Sequence, residues 1–166
     1  MKSATLKALA IHTANEAGEH PGPDYQFGWG LLNAFKAAEV LSTKDKYSKV
    51  EEVTLNNNGT YTLKLTATGS APLVVTIVWD DAVVEKLPDA TLNNRESVLV
   101  NDLDLRVSDG ATTFFPWKLD VNNPANAATK GDNTKDNVEQ VVIENPVAGK
   151  EYTITVSHKG DLKKND

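Results

Sequence analysis

The sequence predicts a mainly β chain: an antiparallel, jelly-roll-like β-sandwich preceded by two short α-helices. Three observations carry this. Beyond about residue 48, apolar residues recur at every second position in short runs, the period of a half-buried strand. Clusters of Asn, Asp, Gly and Pro separate those runs, and no helical period intervenes. Before residue 42 the period is three to four, the spacing of a helix with one buried face.

Taken in order, Ser3 is placed to cap a helix over 4–14, with Leu6, Leu9 and Ala10 on one face. Residues 15–24 contain Gly18, Pro21, Gly22 and Pro23 and read as a loop. Tyr25 to Gly30 reads as a tight aromatic turn, and 31–41 as a second helix with Leu31, Phe35 and Ala38 aligned. Helices this short are marginal alone and need a larger body to pack on. A polar link near 42–48 separates them from the strands, which gives two units, 1–43 and 47–166. Tyr61, Leu63 and Leu65 alternate with threonine and lysine, and 73–79 is an almost continuous apolar run expected to be covered on both faces. Strands are further expected over 99–107, 114–119, 138–143 and 152–156. Turn signals set them apart: Asn57-Asn58-Gly59, Gly69-Ser70, Asp109-Gly110, Asn145-Pro146 and Ala148-Gly149.

Composition excludes several functions. The chain has 17 basic and 23 acidic residues and a net charge of −6, with no basic block, which argues against nucleic acid or an anionic membrane as partner. There is no cysteine, so thiol catalysis, disulfides and thiolate metal sites are out. No apolar run is long enough to span a bilayer, and Lys7 and His12 interrupt the N-terminal stretch, which does not read as a signal peptide.

The candidate chemistry is acidic. Asp102 and Asp104 share one face of the strand 99–107, about 7 Å apart along it, where like charges repel. Asp132 and Asp136 lie downstream, in the loop before 138–143. Oxygen donors from a strand and a loop suit a hard cation, calcium rather than zinc. The competing reading makes Asp102 and Asp104 solvent-facing and residues 132–137 turn formers. An EF-hand is excluded, because the sixth position counted from Asp102 is Val107 and the twelfth is Thr113. His12 and His158 read as packing and surface residues, and no serine stands with a base and an orienting carboxylate as a hydrolytic triad requires. Gly28-Trp29-Gly30 lacks the third glycine of a dinucleotide fingerprint. Phe114-Phe115-Pro116-Trp117 reads as core and edge packing in preference to a sugar-stacking platform.

Residues Ala4 to Ala14, then Gly22-Pro23-Asp24-Tyr25-Gln26-Phe27-Gly28-Trp29-Gly30-Leu31-Leu32-Asn33-Ala34, resemble the end of a subtilisin-like serine peptidase domain. The rest of the chain is similar to the β-sandwich behind the catalytic domain in one bacterial branch of that family. The stretches concerned are Pro72 to Asp81, Leu99 to Val107, Pro116 to Asp120, Gly131-Asp132-Asn133, Asp136 to Val141 and Tyr152 to Gly160. The resemblance implies a jelly roll that binds calcium and an extracellular setting. It also implies a parent enzyme that hydrolyses peptide bonds in protein substrates. The family's Asp, His and Gly-Thr-Ser catalytic segments have no counterpart here, and His12 corresponds to a structural helix. The expectation is therefore a non-catalytic C-terminal fragment, shortened at both ends, whose partner is the catalytic domain of the same polypeptide. A free-standing calcium- or carbohydrate-binding β-sandwich is the alternative.

Overall fold

The computed structural model describes residues 1–44, 46–89 and 91–164. They form a mainly β structure with antiparallel sheets and two short helices, α1 (Ser3–His12) and α2 (Ala34–Ser42). The strands are β1 (Tyr61–Thr66), β2 (Leu73–Val78), β3 (Asp102–Ser108), β4 (Thr113–Phe114), β5 (Trp117–Lys118), β6 (Thr129–Lys130), β7 (Val138–Ile143) and β8 (Glu151–Lys159). One sheet has the order β1-β8-β3-β4; β2 pairs with β7, and β5 with β6.

Alternation dictates the core. Leu63 and Leu65 of β1, Leu105 and Val107 of β3, and Tyr152, Ile154 and Val156 of β8 leave the four-stranded sheet on one side. Leu73, Val75 and Ile77 of β2 with Val141 and Ile143 of β7 meet them in a single cluster. The register Leu105↔Val156 and Val75↔Val141 keeps these apolar residues side by side.

The outer face of the β2–β7 pair carries Thr76 opposite Gln140, and α1 lies against β2. His12 Nδ1 is 3.0 Å from Thr76 Oγ1, and Gln140 Nε2 donates to the same oxygen at 3.1 Å. Lys7 donates to Asn137 Oδ1 at 2.7 Å, and Ser3 Oγ to Asp80 at 2.9 Å. Ser3 is thus a bridge to the β-structure and not a cap; Lys2 occupies the N-cap position without a side-chain bond. The second helix starts three residues later than its apolar spacing suggests. Leu31 is tied to Asn15 by two backbone hydrogen bonds of 2.8 Å, and Asn33 caps the helix by accepting from Lys36 N at 2.9 Å. Gly30 permits this close approach: it has φ +98°, and a Cβ there would lie 2.1 Å from Asn15 O.

The expected strand over 114–119 is broken in two, because Pro116 has no N–H to give a ladder. The short strand β6, which has no apolar alternation, pairs with its second half.

Candidate functional site

The acidic strand is entered under control. Asp81, just beyond β2, accepts Val100 N at 2.7 Å and Asn101 N at 2.9 Å, while Trp79 Nε1 donates to Asn101 O at 3.0 Å. This fixes the backbone ahead of Asp102. From there Asp102, Asp104 and Arg106 share one face of β3, as the alternation requires, but the face is not open: Asp104 is 8% exposed. Arg106 lies over the Phe115 ring, its guanidinium carbon 4.8 Å from the centroid, and the loop carrying Asp132 closes the rest.

Three of the four anticipated ligands converge, and they do so on cations of the chain itself. The register places Lys159 of β8 opposite Asp102. Its Nζ lies 3.2 Å from Asp102 Oδ2, 3.0 Å from Asp104 Oδ1, and 3.0 and 2.9 Å from the two oxygens of Asp132. Arg106 Nη2 donates to Asp104 Oδ1 at 2.7 Å and to Asp132 Oδ1 at 2.5 Å. The fourth residue, Asp136, is turned elsewhere. It accepts from Asn133 Nδ2 at 3.0 Å and lines a separate cavity of about 70 Å³ with Asp24, Trp29, Trp117 and Lys118.

Beneath the cluster lies a carboxylate that sequence reasoning missed. Glu139 shares the core-facing side of β7 with Val141 and Ile143 and is 0% exposed. Strand β4 pairs only with Val107 and Ser108, so the Leu105 N–H has no strand partner there. Glu139 Oε2 accepts that N–H at 2.5 Å, and Arg106 Nη1 is 3.9 Å away. A glutamate inside the run Val138-Glu139-Gln140-Val141 breaks the apolar pattern on its buried face; that was the available signal.

The electrostatics are set by burial against pairing. Burial pushes Glu139 up to about 8, against the opposing pull of Leu105 N–H and Arg106. Burial, with a hydrogen bond shared with Asp132, also raises Asp104. Burial works to raise Asp132 too, but bonds from Lys159, Asp104 and Arg106 prevail and hold it at about 2. For Lys159, burial works to lower the pKa, but the bonds to Asp132, Asp104 and Asp102 outweigh it and raise the value.

Calcium was the expected cofactor. The oxygen donors have the right chemistry, and two buried oxygens, Asp102 Oδ1 and Glu139 Oε1, have no hydrogen-bond partner among the described residues. The arrangement itself does not fit the ion, because Lys159 stands where the three aspartates converge.

The aromatic stretch packs in part within the chain, with Phe115 40% exposed. Phe114 packs 6.4 Å from the Tyr152 ring. Lys130 Nζ lies 3.1 Å over the Trp117 ring, and Gly22 approaches the same indole so closely that a Cβ there would sit 2.8 Å from it. His12, its pKa lowered by burial, has Thr76 as partner, and His158 Nδ1 donates to Gly160 O at 2.8 Å. No family model matches the chain, and no curated protein matches it.

Proposed function

We propose that this chain is a non-catalytic accessory part of an exported subtilisin-like serine endopeptidase: a jelly-roll β-sandwich that buttresses the catalytic domain through the helical segment. The observation that supports this reading best is the surface of that segment. Leu9 is buried, whereas Leu6, Leu31, Leu32 and Phe35 are 64, 61, 70 and 77% exposed. Single exposed apolar residues are ordinary, but several on one short segment mark a contact surface. The same segment is bonded to the β-structure through Ser3, Lys7 and His12, so a load on it is passed to the sheets. In this reading the helices complete the fold of the catalytic domain and the β-sandwich holds them in place.

Light scattering and limited proteolysis test it. The isolated chain should self-associate through this apolar surface at tens of micromolar, and Leu32→Ser with Phe35→Ser should restore a monomer. It should not cleave casein. A wild-type chain that is strictly monomeric, with residues 1–43 resisting protease, would contradict the docking role.

A further inference from the structure

We propose that Lys159 is a built-in counter-ion: its ammonium takes the position of a metal among Asp102, Asp104 and Asp132, and fastens the 131–137 loop to the four-stranded sheet without one. This role of Lys159 does not depend on the peptidase reading.

The three carboxylates come from two separate parts of the chain. Asp102 and Asp104 belong to β3, and Asp132 to the loop before β7. Lys159, on the neighbouring strand β8, reaches all three from opposite Asp102. An ammonium offers three N–H donors, and here it faces four carboxylate oxygens at 2.9–3.2 Å. Calcium would need those oxygens at about 2.3–2.6 Å, so each would have to draw in by about half an ångström once the lysine had left. Arg106 supplies the second positive charge, to Asp104 and Asp132.

Acceptors outnumber donors even so. Among the described residues Asp102 Oδ1 remains without a partner, as expected where a singly charged group stands in a site rich enough in oxygen for a doubly charged one. The tether matters as well. A lysine on the same chain is always present, so the loop stays fastened whatever the divalent ion concentration. Removing the ammonium would leave the aspartates facing one another with Arg106 alone between them. They could then be relieved by taking up a proton, by loosening the loop or by taking up a cation from solution.

Thermal unfolding of the full chain, in chelator and in millimolar calcium or magnesium, tests this with four proteins: wild type, Lys159→Met, Lys159→Arg and Lys64→Met. The last removes an exposed lysine paired with Glu151, away from the cluster. Wild type, Lys159→Arg and Lys64→Met should change by less than about 1–2 °C on adding calcium. Lys159→Met should melt lower than wild type in chelator and rise by about 5–10 °C with calcium at a hundred times its dissociation constant, with magnesium weaker. Should Lys159→Met fail to fold under either condition, Lys159→Gln carries the same comparison. An equal calcium shift in wild type and Lys159→Met would overturn the inference while leaving a calcium site. No shift in either would overturn it and show that the cluster takes no divalent cation.

Discussion

Replacing Glu139 by glutamine isolates the most strained electrostatic feature of the fold. The carboxyl is 0% exposed, and its pKa is raised from 4.5 to about 8. Between those values the unfolded chain has released this proton and the native protein still holds it. Native stability from this group is therefore complete below about 4.5 and is lost progressively as the pH rises to about 8, after which the dependence is flat. A shift of that size corresponds to about 4–5 kcal/mol; relaxation around the ionised group reduces it, and a loss of about 2–3 kcal/mol is expected. Glutamine is isosteric, keeps a carbonyl oxygen for the Leu105 N–H, and never ionises. Urea unfolding measured from pH 5 to 9 should show the two proteins within about 1 kcal/mol of each other at pH 5 and the variant ahead by about 2–3 kcal/mol at pH 9. Burial lowers the His12 pKa, which contributes in the opposite sense, with stability rising as the pH climbs towards 6.5. That contribution is common to both proteins and cancels in the difference. Curves that remain parallel across the whole range would refute the assignment of a buried, neutral glutamic acid.

Packing and backbone geometry give two further outcomes. Leu105, fully buried at the centre of the shared core, should cost about 2–5 kcal/mol as alanine, read as a lower urea midpoint. Gly30→Ala should break the Asn15–Leu31 pairing, because the new Cβ would meet Asn15 O. Amide exchange at those two residues should accelerate, with a loss of at least about 1 kcal/mol. At Gly110, also at positive φ but with nothing within 4 Å, alanine should cost only the backbone strain and leave those amides unchanged.

The local pattern of residues was enough to place the principal strands, because a strand's two faces alternate whatever it pairs with. The alternation of Tyr61–Thr66 and the single-sided placement of Asp102 and Asp104 are therefore readable without knowing their partners, while Leu73–Val78 and Val138–Ile143 are readable from short β-branched, apolar runs bounded by turn signals. The two helices were likewise legible from their spacing, although their first residues were not. Ser3 and Leu31 are claimed by Asp80 and Asn15, which lie far along the chain or across a loop.

What the acidic face does was decided by the tertiary structure alone. Asp102 meets Lys159 across 57 residues because β3 and β8 are neighbours in the sheet, and no local period encodes that adjacency. Glu139 has its place because β4 is too short to reach Leu105, leaving one N–H for a side chain from the other sheet to satisfy. Asp136, close to Asp132 in the chain, went to a different cavity because Asn133 holds it there. Side-chain alternation is a property of a single strand, whereas the partner of a charge depends on which strands the chain brings together and in what register.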